Sequence, residues 1–306
     1  MVALLLLGFP MMVPLIAGAI IGFVMMFDGF GQMDTLIQQI LAGIRPASLI
    51  AVPMFILAAD IMTRGHSAER LINMVMTFIG HIKGGLAVST AASCTLFGAV
   101  SGSTQATVVA IGSPLRPRML KAGYSDSFSL ALIINASDIA FLIPPSIGMI
   151  VYGVISETSI GELFIAGIVP GLMILGMFSV YCIAYAHFNN VPTEAKASWG
   201  ERLQAVRQAL WPLGFPVIIV GGIYGGIFSP TEAAAVCVLY AFILEFLIFR
   251  SLKSPDIWAI AKSTGLITAV VFILVGVGNG FSWIISFAQI PQAILEAVGI
   301  NEAGPV

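Results

Sequence analysis

The sequence predicts an all-α protein that crosses a membrane several times, and three observations carry the prediction. Hydrophobic residues make up 58% of the chain and charged residues only 9%, where soluble domains carry roughly a quarter of their residues as charges. Several apolar runs reach the ~20 residues that a helix needs to span a hydrocarbon core. The few basic residues fall into short clusters between those runs, so they report sidedness.

Taken in chain order, Val2 to Phe27 is the first apolar run. More spans follow it instead of a polar mature domain, so it implies no cleavable signal peptide. The next stretch, "DGFGQMDTLIQQILAGIRPA", carries Asp28, Asp34 and a single Arg45, which suits the outer side. After an apolar segment beginning near Ser48 comes "RGHSAERLINMVMTFIGHIKGG". Its apolar residues Leu71, Ile72, Val75, Phe78, Ile79 and Ile82 recur on a helical period. A crossing there would put Arg64 and Lys83 on opposite sides, so 64–83 reads as an amphipathic helix along the cytoplasmic interface. A short span is the alternative.

The basic clusters Arg116, Arg118 and Lys121, then Lys196, Arg202 and Arg207, then Arg250 and Lys253 belong on the cytoplasmic side by the positive-inside rule. Two apolar segments, 125–156 and 160–187, separate the first cluster from the second. Two more, 211–228 and 231–249, separate the second from the third, so the parity is consistent. Asp34 and Glu157 then lie on the periplasmic side.

Between Lys83 and Arg118 the chain enters and leaves by one face. Each half of it, Leu86–Val100 and Thr104–Leu115, is at most ~15 residues or about 22 Å of helix, too short to cross. The economical structure is a re-entrant hairpin with its tip at Ser101-Gly102-Ser103-Thr104. Non-helical backbone at that depth is tolerated where it is buried in protein or lines a wet cavity. The following segment, "LALIINASDIAFLIPPSIGMIVYGVI", must break near Ile143 to Ser146, because Pro144 and Pro145 lack N–H groups and exclude the α conformation before them. Broken helices leave carbonyls and N–H groups free to hold Na⁺ and anionic substrates. Asn135, Ser137 and Asp138 precede the break, and an ionisable Asp138 inside an apolar run faces either a site or a structural partner. Ser101, Ser103 and Ser146 are site residues or small packing residues.

Cys94, Cys182 and Cys237 are isolated and read as packing residues. His66, His81 and His187 fall near span ends without metal-ligand spacing, which argues against a transition-metal site and against an intramembrane serine protease. The residues by themselves thus predict a secondary transporter with discontinuous helices.

The combination "FGAVSGSTQAT", "MLKAGYSDSFSLAL", "IPPSIGMIVYG" and "GGIYGGIFSPTEAAA" resembles the large membrane subunit of tripartite ATP-independent periplasmic (TRAP) transporters through nearly the whole chain. The resemblance implies an inverted-repeat, elevator-type carrier in the bacterial inner membrane, in which Na⁺ drives uptake of a small organic anion. Sialic acid or a C4-dicarboxylate is the expected substrate. A periplasmic binding protein would deliver it, and a small four-helix membrane subunit would complete the scaffold. No nucleic acid enters this reading, and the lipid bilayer is the solvent.

The expected sodium set is Ser101, Gly102, Ser103, Thr104, Asn135, Ser137, Asp138 and Pro144, and the expected substrate set is Ser101, Ser103, Pro145 and Ser146. The expected parts are scaffold helices at 1–63, the interfacial helix at 64–83, the hairpin at 84–121 and the broken helix at 122–159. A span with a basic loop at 160–210 follows, then a second repeat at 211–306, opened by Ser229-Pro230-Thr231-Glu232. "VPMFILAADI" and "AVVFILVGVG" share Phe-Ile-Leu, and Ala303 and Pro305 stand about where the next short helix would start. No second hairpin or second Pro-Pro break follows, so the second repeat is expected to be incomplete and the half-site to open onto a face where further helices belong. The competing functions are a Na⁺-coupled dicarboxylate or citrate carrier working without a binding protein, and a structural membrane subunit that transports nothing.

Overall fold

The computed structural model describes residues 2–27, 29 and 31–297; Asp28, Ala303 and Pro305 lie outside the described residues. Among the described residues every regular element is a helix. The chain opens with α1 (Val2–Leu6) and α2 (Met12–Met26), so the first apolar run is not one continuous helix. Gly8, at φ +80°, takes a left-handed conformation that costs glycine little, and Pro10 follows without an N–H to continue the ladder.

Next come α3 (Met33–Ala42), a 3-10 turn (Ala47–Ile50) running into α4 (Ala51–Arg64), and α5 (Ser67–Ile79). The hairpin helices are α6 (Gly85–Ser101) and α7 (Thr104–Lys121), and α8 (Asp126–Ser137) ends in a 3-10 turn (Asp138–Phe141). After the break come α9 (Ile147–Ile155), α10 (Ile160–Phe188) and α11 (Trp199–Tyr224). Then α12 (Pro230–Phe242) continues as a π turn (Ile243–Ile248), and α13 (Ser254–Phe287) and α14 (Ile290–Ala297) complete the described chain. Among the described residues five stretches are long and apolar enough to cross a membrane: Ala47–Arg64, Ile160–Phe188, Trp199–Tyr224, Pro230–Ile248 and Ser254–Phe287. The protein is an all-α polytopic membrane protein.

Serine starts many of these helices. The hydroxyls of Ser103, Ser125, Ser146, Ser159, Ser198 and Ser229 each accept the backbone N–H three residues on, satisfying a donor that has no partner inside the helix. At Ser198 and Ser229 the third residue, Glu201 or Glu232, reaches back to the serine N–H and closes a capping box. The Ser198 box places residues 199–210 in the first turns of α11, where a basic loop was expected. The charged Glu201 and Arg207 take its exposed side while Ala205 and Ala209 are buried.

The chain forms two compact units, Met1–Ala47 with Ile267–Val306, and Ser48–Leu266. In the first, Ala19, Phe23, Leu36 and Ile284 form the core. Phe27, Trp283 and Phe287 stack at its edge, with Trp283 and Phe287 centroids 5.3 Å apart. Asn279 Nδ2 donates to the Gln39 carbonyl at 2.8 Å, tying α13 to α3.

The second unit is built around α6, nearly every residue of which is buried. It packs against α4, α5, α7, α8 and α10. Ser89, Thr90, Ser93 and glycines keep its surface small, so neighbouring backbones approach closely. The amphipathic stretch folds as α5, with Leu71, Ile72, Val75 and Met76 buried; α5 lies against α6 and α11, while Phe78 and Ile82 stay exposed. At one end of the unit Arg118 clasps Glu194 through two hydrogen bonds of 2.9 and 3.0 Å, and Arg116 clasps Asp126 likewise.

Candidate functional site

The hairpin turns at Gly102, which adopts φ +60° and donates its N–H to the Gly98 carbonyl at 2.8 Å, closing α6. Glycine carries this left-handed cap because a side chain there would meet the following carbonyl. Ser103, in extended conformation, then starts α7. The Ser101 hydroxyl lies 2.9 Å from the Thr107 hydroxyl, and both Ser101 and Thr107 donate to the Ser103 carbonyl at 3.2 and 2.9 Å. Ser101 and Thr107 are buried, and the Oγ1 of Thr104 is buried with no hydrogen-bond partner among the described residues. The Ser101, Thr107 and Ser103 oxygens therefore crowd together at the tip.

α7 runs on through Pro114 and Pro117 to Lys121, past the Leu115 end that its prolines suggest. Both prolines sit on the exposed side of the helix, where the rings displace no packed neighbour. Its 18 residues are about 27 Å of helix, still under a bilayer core of ~30 Å.

The broken helix meets the tip. After the 3-10 turn the chain leaves helical conformation over 142–146 and restarts at Ile147, with Ser146 as cap accepting from Met149 N at 3.2 Å. The Pro144-Pro145 peptide bond is cis. Among the described residues no backbone N–H bonds to the carbonyls of 142–145. Ile147 N donates to the Gly102 carbonyl at 3.4 Å, and a Cβ on Gly102 would run into the Pro145 carbonyl oxygen. Gly98 on α6 also lies close to Ala140, so a methyl group there would stand 2.8 Å from the alanine Cβ. Absent side chains at 98 and 102 are what allow hairpin and broken helix to touch.

Of the candidate residues, Ser101, Gly102, Ser103, Thr104, Pro144, Pro145 and Ser146 thus belong to one locus. The other three do not join it in the same way. Ser137 is buried, with its hydroxyl donating to the Ile133 carbonyl at 2.7 Å and lying 3.6 Å from the Cys94 sulfur, so it fastens α8 to α6. Asn135 and Asp138 stand on the exposed face of α8. Asn135 donates to the Ala131 carbonyl at 2.7 Å. Asp138 has no cationic side chain within 4.0 Å among the described residues, whose ion pairs are Arg64–Asp60, Arg116–Asp126 and Arg118–Glu194.

Thr107 and Gly98 are parts of the locus that the candidate sets omit. The Thr107 signal was available, since a hydroxyl on the first turn of α7 faces back toward its own cap. Gly98 becomes legible only with Ala140 in place.

The model for the DctM component of tripartite ATP-independent periplasmic transporters matches residues 1–305. The ectoine TRAP transporter large permease protein TeaC of Halomonas elongata is 85% identical over 305 residues, covering 100% of this chain and 71% of that protein. The ectoine/5-hydroxyectoine large permease protein UehC of Ruegeria pomeroyi is 74% identical over 306 residues, covering 72% of its own length. The C4-dicarboxylate large permease protein DctM of Pseudomonas aeruginosa is 39% identical over 257 residues, 84% of this chain and 60% of that one.

Proposed function

Because the chain belongs to the DctM family, the large permease subunits of TRAP transporters, we propose that it imports ectoine or a close relative in symport with Na⁺. In this reading it works beside a small membrane subunit and takes its cargo from a periplasmic binding protein. The substrate proposal replaces the sialic acid or C4-dicarboxylate expectation. Relatives named for ectoine share 85% and 74% of their residues with this chain, and one named for C4-dicarboxylates shares 39%.

The observation that supports ion coupling is the oxygen-rich contact between hairpin tip and break. A hard monovalent cation needs several oxygen ligands, and unwound backbone together with hydroxyls offers them. Ser101, Thr107 and the Ser103 carbonyl crowd one side, and the 142–145 carbonyls, which lack backbone donors among the described residues, lie in the chain that meets the tip. The Ser146 cap and the Gly148 N–H at the start of α9, which has no backbone acceptor among the described residues, suit a carboxylate at the same place.

An elevator-like movement of hairpin and broken helix as one body accords with their mutual contacts through Gly98 and Gly102. The ends joined by the Arg118–Glu194 clasp would face the cytoplasm in this arrangement. Cysteines at positions 121, 202 and 250 should then react only with permeant thiol reagents, and one at 157 with impermeant ones. Labelling of position 202 from outside would reverse the topology.

The deciding experiment is Na⁺-dependent uptake of labelled ectoine by the complete transporter with its binding protein. Ser101→Ala is expected to raise the Na⁺ concentration for half-maximal uptake about tenfold, equivalent to ~1.4 kcal/mol of ion binding. Unchanged Na⁺ dependence would remove the tip from the ion site. A system that transports without the binding protein would favour the citrate-type alternative. A protein that neither transports nor is stabilised by Na⁺ would favour the structural subunit.

A further inference from the structure

We infer that Asp138 is a specificity-determining residue that receives the cationic end of a zwitterionic substrate, and that Asn135 beside it orients the same molecule. The inference rests on the substrate reading above and takes it from a family of cargoes to a charge pattern.

Asp138 is an exposed carboxylate at the start of the 3-10 turn that leads into the break. Among the described residues no cationic side chain lies within 4.0 Å of it. Between Lys121 and Lys196 the sequence contains neither lysine nor arginine, and the arginines preceding that stretch are committed, Arg116 to Asp126 and Arg118 to Glu194. An acidic side chain within an apolar segment is costly unless it faces a cavity or a partner. Among the described residues no cationic partner stands beside it.

The surroundings distinguish an organic cation from Na⁺. The oxygens suited to a small ion are turned elsewhere, since Ser101 and Thr107 are buried against each other and Ser137 bonds within its own helix. The residues sharing the exposed helical face with Asp138 are Ile134, Asn135 and Phe141, at spacings that place them in one stripe. Ile134 is 49% and Phe141 44% exposed. A carboxylate flanked by an aliphatic and an aromatic side chain fits a planar, delocalised N–H cation with an apolar ring, which can donate two parallel hydrogen bonds to it. Asn135 spends one donor on Ala131 and keeps a second N–H and a carbonyl oxygen for the polar remainder of the ligand. Ectoine carries such a cation, an amidinium within a ring, together with a carboxylate. A C4-dicarboxylate would instead meet like charge.

The test is uptake of labelled ectoine and labelled succinate by the complete transporter with its binding protein, in wild type, Asp138→Asn and Asp138→Glu. Na⁺-dependent thermal stabilisation is measured on the same preparations. The expected result is that wild type takes up ectoine, that Asp138→Asn loses at least thirtyfold in ectoine kcat/KM with Na⁺ stabilisation unchanged, and that Asp138→Glu recovers part of the loss. Ectoine uptake within threefold of wild type in Asp138→Asn would overturn the inference and leave the substrate reading standing. Loss of Na⁺ stabilisation together with uptake would also overturn it, making Asp138 an ion ligand. Wild type that takes up succinate and not ectoine would overturn both.

Discussion

Glu245→Ala is expected to lower the thermal unfolding midpoint by roughly 6–12 °C, taking about 3 kcal/mol for the buried donors it strands and 2–4 °C per kcal/mol for a protein of this size. Glu245 is completely buried. Its carboxyl oxygens accept from the backbone N–H of His66 at 3.1 Å and from the hydroxyls of Ser67 and Ser251. One side chain on the π turn after α12 therefore fastens the corner between α4 and α5 and the chain that follows the turn. Gly65 passes so close that any side chain there would strike the carboxyl group. Alanine removes the acceptors and leaves a void, while Glu245→Gln retains one carbonyl oxygen and the shape, so it should lose less than half as much. Thermal unfolding of the purified protein in detergent, followed by intrinsic fluorescence, checks this. An alanine variant within 2 °C of wild type would show that the corner holds without its acceptor.

Gly102→Val should reduce substrate uptake at least 100-fold while the protein still inserts and purifies. Two costs add at this position. The backbone sits at φ +60°, where a non-glycine residue pays about 1–2 kcal/mol and a β-branched one more. The new Cβ must also displace the Pro145 carbonyl oxygen, parting the tip from the break and stretching the Ile147 N to Gly102 carbonyl bond of 3.4 Å. A loss of ~2.7 kcal/mol corresponds to 100-fold. Gly102→Ala pays the backbone cost and a smaller displacement, so about tenfold is expected. Uptake assays on matched amounts of membrane protein decide it. Wild-type rates in the valine variant would mean that the contact has no part in transport.

The hairpin and the break were legible in the sequence because both depend on local backbone chemistry. Gly102 and Ser103 can end one helix and start another wherever they occur, and Pro144-Pro145 cannot continue a helix in any surroundings. The split of the first apolar run at Gly8 and Pro10 rests on the same rules, but hydropathy alone passes over it, since Phe9 and Met11 keep the run apolar. The early start of α11 was also written locally, in Ser198 and Glu201. Its exposed charges mask that signal in an average taken over all faces of the helix.

What the sequence by itself determined is therefore the membrane as solvent, the helices, and the two places where regular structure must stop. Only the tertiary structure decided which stops meet and which polar residues are used up in meeting. Ser137 and Asp138 are neighbours in the chain, yet successive helical residues point about 100° apart, so one is buried against α6 and the other is left exposed. Glu245 finds its donors 178 and 179 residues away. A hydrogen bond between such distant groups leaves no trace in local propensity, because it exists only once α4, α5 and α12 have packed.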